Sequence, residues 1–366
     1  MDRIKKNFGF GFMRLPMIGD EVDYEQVCHM VDAFLQAGFN YFDTAHGYID
    51  GKSEIAIREC LAKRYPRESY VLTNKLSASF FKSQEDIRPL VDQQLQACGV
   101  EYFDFYLMHA LSKDRLQHYK ACRAFETVQE LIQEGKIRHL GISFHDKAAV
   151  LDQILTEYPQ VEVAQIQLNY VDMEDPIVES GKCLEVCRKH NVPAIIMEPV
   201  KGGKLVNLPP MAARVLDGLQ DGSHASYAIR YAAGQKGVIM VLSGMGSMEM
   251  VLDNMGYMKD FQPLNETQMA AVQKVRNIFA SFDTIECTDC RYCVEACPRK
   301  IPVPKFFAML NSKKVWGSWN QDAAKQLISE PGQGPDSCLG CGDCEAACPQ
   351  HLSIRRLLKT VEKELA

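Results

Sequence analysis

"FGFGFMR", residues 8–14, sets two glycines in an apolar run near the head of the chain. The phosphate-binding turn of a doubly wound dinucleotide fold needs a third glycine at the sixth place, and here that place is Arg14. The stretch therefore reads as a plain first strand. Helical periodicity follows from Tyr24 to Ala37 and stops at Gly38. The alternation then repeats: "FNYFDTA" (39–45), "YVLTNK" (70–75), "FDFYLMH" (103–109), "IRHLGIS" (137–143), "VEVAQIQLN" (161–169), "VPAIIMEP" (192–199) and "GVIMVLSG" (237–244) each read as a strand. Helices are expected after them, first from the capping candidate Ser53, then over about 83–98, 119–134, 146–156, 177–190, 223–233 and 247–258. Strands separated by helices run parallel, and strands apolar on both faces need helices covering the sheet. Eight such units in about 255 residues predict an α/β fold, the (β/α)8 or TIM barrel.

The barrel leaves a C-terminal remainder. For a chain of 366 residues the expected division is a barrel over 1–282 and a smaller, helix-rich domain over 283–366. Apolar residues make up 46% and charged residues 24%, a globular balance, and no apolar run is long enough to span a bilayer. A net charge of −6 gives no basic footprint for nucleic acid. "MDRIKKNFGFGF" lacks the apolar core and cleavage site of a signal peptide. The expectation is a cytoplasmic protein that binds neither nucleic acid nor membrane.

Cysteine is unevenly spread. Of fourteen, eight fall in two short runs, "CTDCRYCVEACP" (287–298) and "CLGCGDCEAACP" (338–349). The others, Cys28, Cys60, Cys98, Cys122, Cys183 and Cys187, read as packing residues. A disulfide framework belongs to small secreted chains, so metal ligation is the better reading of the runs. Zinc is the bland alternative, because C-x-x-C pairs also make tetrahedral sites. The spacer between the runs is patterned as helix, and "IRRLLKTVEKEL" at the end reads as an amphipathic docking helix.

In a barrel of this type the C-terminal strand ends point into the active site. Those ends and the loops after them offer Asp43, Tyr48, Lys75 and His109. Each alone is as often structural as functional, but together they make a usable set. Tyrosine is a weak acid, with an ordinary pKa of roughly 10. A lysine ammonium nearby stabilises the phenolate, and a carboxylate paired to that lysine holds it in place. A histidine orients a carbonyl oxygen. The set is a general acid able to protonate an alkoxide as hydride reaches the carbonyl carbon.

"FDTAHGYIDGKSE", "TNK", "YLMH", "EGKIRHLGIS" and "AQIQLNY" resemble the aldo-keto reductases over about residues 8–258. The resemblance implies the (β/α)8 fold, a catalytic tetrad on Asp43, Tyr48, Lys75 and His109, NADPH or NADH as cofactor, and a small carbonyl or alcohol as substrate. It places the nicotinamide carboxamide on Ser143 and Gln165; the asparagine usual after that serine is Phe144 here. "EPVKGGKL" (198–205), with Lys201, Gly202 and Gly203, matches the segment around the pyrophosphate. "SGMGSMEMVLDN" (243–254) matches the adenosine-phosphate segment, with Gly244, Ser247 and Asn254. Gly244 stands at the usual lysine and Met250 at the usual arginine, so a 2′-phosphate has little to pair with.

Both cysteine runs follow C-x2-C-x2-C-x3-C-P and resemble two-cluster ferredoxins, in which the fourth cysteine of each run ligates the other cluster. The resemblance implies two [4Fe–4S] clusters, on Cys287, Cys290, Cys293 and Cys348, and on Cys338, Cys341, Cys344 and Cys297. Three readings follow: an NAD(P)H-dependent carbonyl reductase supported by clusters, an electron-transfer protein serving a redox partner with the barrel as docking or nucleotide-sensing platform, and a purely structural tail. A hydride carries two electrons and a cluster normally passes one. A flavin would bridge them, but no flavin motif is recognisable.

Overall fold

The computed structural model describes residues 1–175, 178–281, 284–316 and 321–365. Eight parallel strands close a barrel: β1 (Phe8–Gly11), β2 (Tyr41–Asp43), β3 (Val71–Leu76), β4 (Phe103–Leu111), β5 (Ile137–Phe144), β6 (Val163–Gln167), β7 (Ala194–Met197) and β8 (Val238–Gly244). Each pairs with its neighbours in sequence, and β1 against β8 completes the ring. Strands β1 to β4 are buried along their whole length, as a sheet covered by helices requires. Tyr41, Val71, Phe105, Val163, Ile195 and Met240 belong to one apolar cluster that plugs the barrel. Gly141 makes room for that plug, since a Cβ there would stand 2.4 Å from Leu107 and 2.5 Å from Val163.

Local chemistry explains the helix ends. Asp23 caps helix Tyr24–Gln36 by accepting from the Gln26 N–H at 3.0 Å, and Gly99, at φ 67°, ends helix Ile87–Cys98. Two expectations are corrected. Ser53 does not cap a helix; helix Lys52–Ile57 starts after Gly51 at φ 84°. The Ser53 hydroxyl instead donates to the Phe12 carbonyl at 2.9 Å and meets the Thr44 hydroxyl at 2.6 Å, both buried. The helix expected over 119–134 is two, Lys113–Ala121 and Ala124–Gln133, broken where Arg123 turns to φ 50°.

The chain forms two compact units. Met1–Val200 with Ala225–Glu266 hold the barrel; Lys201–His224 with Thr267–Ala366 hold the cysteine runs. The boundary expected between 282 and 283 falls on residues outside the described set. In the second unit, helices Val303–Trp316 and Ile354–Leu365 share a core that includes Phe306, Phe307, Leu310, Leu358 and Val361. The last helix buries Ile354, Leu358, Val361 and Leu365, the face its amphipathic pattern sets aside for docking. Among the described residues no helix is long and apolar enough to cross a membrane.

Candidate active site and metal centre

The strand ends bring the tetrad together at one end of the barrel. Lys75, on β3, is fully buried and donates from Nζ to Asp43 Oδ1 at 2.6 Å and to the Thr44 carbonyl at 2.8 Å. Its ammonium lies 4.9 Å from the centre of the Tyr48 ring. The Tyr48 ring in turn meets the His109 imidazole edge to face, with centres 5.9 Å apart. Turns formed by Tyr48 N–H to the Ala45 carbonyl (3.0 Å) and Gly51 N–H to the Tyr48 carbonyl (3.2 Å) shape the loop that carries the phenol.

Burial governs the charges. It pushes the Asp43 carboxyl above its ordinary range, while the Lys75 ammonium and the Gln165 amide pull the other way. Burial likewise lowers Lys75, opposed by Asp43. His109 is held well below the usual imidazole range by burial first, then by the nearby charge of Lys75. The imidazole is therefore neutral at physiological pH.

Two supports escape a reading by motif. Ser77 Oγ lies 2.6 Å from His109 Nδ1 and fixes the ring. Glu54, buried on the helix after the tyrosine loop, bridges His46 Nδ1 at 2.8 Å and Asn74 Nδ2 at 2.7 Å. Ser77 follows Lys75 by two residues, the period that returns a side chain to one face of a strand. That spacing was the available signal.

The expected nucleotide residues behave differently from one another. Ser143 and Gln165 sit opposite each other on β5 and β6. Gln165 donates to Asp43 Oδ2 at 3.2 Å. Ser143 is 1% exposed and its hydroxyl has no hydrogen-bond partner among the described residues. An orphaned hydroxyl beside the tetrad fits a site that takes a polar group from a bound nicotinamide. Ser247 caps helix Met248–Met258, accepting from the Met250 N–H at 3.3 Å. Asn254 is buried and spent internally: it donates to Ser243 Oγ at 3.1 Å and accepts from the Tyr257 hydroxyl. Gly244 ends β8, and the stem of Arg14 passes it, 3.5 Å from where a Cβ would stand.

Lys201, Gly202 and Gly203 belong to the second unit and grip the first cysteine run. Lys201 is 1% exposed and pairs with Glu286 at 2.9 Å; Lys204 donates to the Ile285 carbonyl at 3.0 Å. The two lysines outweigh the effect of burial and hold Glu286 below the ordinary carboxylate range. The close approach that glycine permits at 202, with φ 64°, is to the Thr288 carbonyl, 2.4 Å from a Cβ there.

Four cysteines from both runs line each of two cavities. Cys287, Cys290, Cys293 and Cys348 line one; Cys297, Cys338, Cys341 and Cys344 line the other. Each cavity thus brings together three cysteines of one run and the fourth of the other. No cysteine forms a disulfide. Among the described residues no three Cys, His, Asp or Glu side chains converge on a point fit for one metal ion.

Comparison with known proteins agrees with this anatomy. The model of the aldo/keto reductase family matches residues 7–277, and that of a 4Fe-4S dicluster domain matches residues 286–352. The NADH-specific methylglyoxal reductase of Escherichia coli is 28% identical over 200 residues, covering 49% of this chain and 58% of that protein, little more than half its length. L-Galactose dehydrogenase of Arabidopsis thaliana is 24% identical over 280 residues, covering 71% of this chain and 86% of that protein. An aldo-keto reductase of Klebsiella pneumoniae in complex with NADPH superposes with a TM-score of 0.60 at 19% identity, covering 74% of this chain and 90% of that one, a likeness of fold.

Proposed function

The chain belongs to the aldo/keto reductase family and carries a 4Fe-4S dicluster domain, and on that premise we propose that it reduces a small carbonyl compound, or oxidises the matching alcohol, with NAD(P)H. The observation that carries the reading is the buried Lys75–Asp43 pair set 4.9 Å from the Tyr48 ring. NAD(P)H, bound along Ser143 and Gln165, supplies the hydride. Tyr48 donates its phenolic proton to the carbonyl oxygen, and the Lys75 ammonium stabilises the negative charge left on the phenol. Asp43 fixes Lys75 in place. In the tautomer where the Ser77 hydroxyl donates to His109 Nδ1, Nε2 carries hydrogen and donates to the same carbonyl oxygen.

Cofactor choice turns on Arg14. Gly244 and Met250 remove the cations usual for a 2′-phosphate, but the Arg14 stem beside Gly244 brings a guanidinium to that segment. The proposal is that both cofactors serve, with Arg14 supporting NADPH. The two cysteine sets each hold a [4Fe–4S] cluster: the matched 4Fe-4S dicluster domain supports this, as do described thiols that line a cavity without converging on the single point one tetrahedral ion needs. The clusters supply one-electron chemistry. Cys341 is exposed, whereas Cys293 and Cys348 of the other set are buried. The second set is therefore the one through which a redox partner protein exchanges electrons.

Anaerobic turnover of Tyr48→Phe against the unaltered chain, with NADH and NADPH and a panel of aldehydes and ketones, tests the reading. A fall of about 10²–10⁴ in kcat is expected. Unchanged turnover overturns it.

A further inference from the structure

The two cysteine runs repeat their spacing but differ two residues past the fourth cysteine. After Cys297 that place is Arg299, whose side chain is exposed. After Cys348 it is Gln350, which is 3% exposed and lines the cavity of Cys287, Cys290, Cys293 and Cys348. Both polar atoms of its amide, Nε2 and Oε1, lack a hydrogen-bond partner among the described residues. A buried amide without partners is destabilising, so a native chain keeps one where a bound group completes it. Much of the wall around it is apolar: Val303, Phe307, Leu352 and Ile354. Gln350 follows Cys348 by two residues, in the turn closed by the His351 N–H donating to the Cys348 carbonyl at 3.1 Å.

We propose that Gln350 Nε2–H donates a hydrogen bond to a sulfur of the cluster held by Cys287, Cys290, Cys293 and Cys348, and so raises the reduction potential of that cluster alone. The reasoning is electrostatic. Reduction adds one electron to the cluster, the added charge spreads onto its sulfurs, and a donor N–H stabilises the reduced form more than the oxidised one. At the matching place the other cavity is lined by Arg299, an exposed residue, together with Arg355. The two cavities are thereby unequal, the buried amide belonging to one of them. The inference rests on the reading that both cysteine sets hold clusters, and iron content separates the two.

The test uses the full chain, loaded anaerobically, with iron and sulfide counted first. If the unaltered chain takes up no cluster at the first set, the cluster reading itself fails. With both clusters present, redox titration with dithionite followed by EPR compares the unaltered chain with Gln350→Leu and Gln350→Glu. The expected result is a lower midpoint potential for one signal, lower still for the carboxylate variant above its own titration, and an unmoved second signal. Unchanged midpoints in either variant overturn the proposal. A measurement that needs no variant guards against misfolding. Chain labelled with ¹⁵N at the glutamine side-chain amide is expected to show a ¹⁵N coupling on one reduced signal by pulsed ENDOR. Absence of that coupling overturns the proposal on its own.

Discussion

The barrel and the cysteine-rich unit solve the placement of reactive side chains in opposite ways. In the barrel, Asp43, Lys75 and His109 are held by one another and by Thr44, Gln165 and Ser77, above an apolar plug that contains none of them. The scaffold is complete without its ligand. In the second unit, Cys293, Cys344 and Cys348 are members of the hydrophobic core itself, packed with Phe306, Phe307 and Val361. Burial pushes Cys287 and Cys344 up to about 11, so both stand as thiols until a cation displaces the proton. One unit supports its chemistry; the other is completed by it. The contrast predicts that loss of ligand and loss of fold are separate events in the first and one event in the second.

The largest effect that tests this contrast is iron removal. Chelation under reducing conditions is expected to cost the second unit most of its stability, on the order of 5 kcal/mol. Hydrogen exchange should then show protection lost in helices Val303–Trp316 and Ile354–Leu365 but kept in β3 and β4. Protection kept in both would erase the contrast. A smaller blow to the same unit is Lys201→Met, which strands Glu286 beside Cys287. The expected loss is about 1–2 kcal/mol, less than the 3–5 kcal/mol of a fully buried pair because Glu286 is partly exposed. Iron content per chain and urea unfolding read it; a silent variant would show the grip on the cysteine run to be dispensable.

The barrel answers to pH. His109 binds its proton less readily in the folded chain than in the unfolded one. Between the folded value and the ordinary 6.5, the unfolded state holds more protons, so stability falls as pH drops below about 6.5. The slope reaches at most about 1.4 kcal/mol per pH unit. Melting the unaltered chain and His109→Asn across pH 5 to 8 isolates this limb, which should flatten in the variant. The smallest effect sharpens the claim of a waiting site. Removing the orphaned hydroxyl with Ser143→Ala should stabilise the ligand-free chain by about 1 kcal/mol while weakening NAD(P)H binding about tenfold. Calorimetry with and without cofactor reads both signs, and a loss of stability without ligand would mean the hydroxyl is satisfied in the folded chain.

Much of this was legible in the sequence. Strand count and barrel follow from period and spacing, because each is fixed by residues near in sequence; the tetrad is expected from strand ends, and the crossed cysteine sets from a resemblance carried by a repeated motif. What escaped depends on contacts across space. Ser53 has the residue type of a cap, yet a carbonyl at Phe12 on another segment offers its hydroxyl a better acceptor. Asn254 reads as an adenosine contact, yet Ser243 and Tyr257 take both ends of its amide. "VKGG" reads as a phosphate loop, yet its lysine and first glycine meet Glu286 and Thr288, more than eighty residues away. No local pattern encodes a partner at that distance.

The second unit draws on two stretches of chain, with Lys201–His224 inserted between β7 and helix His224–Ala233 and the rest arriving after Glu266. The gene therefore cannot be divided by one stop codon. A truncation ahead of the cysteines would leave the inserted stretch behind, with the buried Lys201 suddenly facing no carboxylate. Conversely, the cysteine runs expressed alone would lack the loop that holds their leading segment. Along the chain the second unit takes two separate stretches, and such an order resists exchange of its tail by simple recombination. A working transplant of the dicluster domain onto another barrel would have to carry the β7 insertion with it.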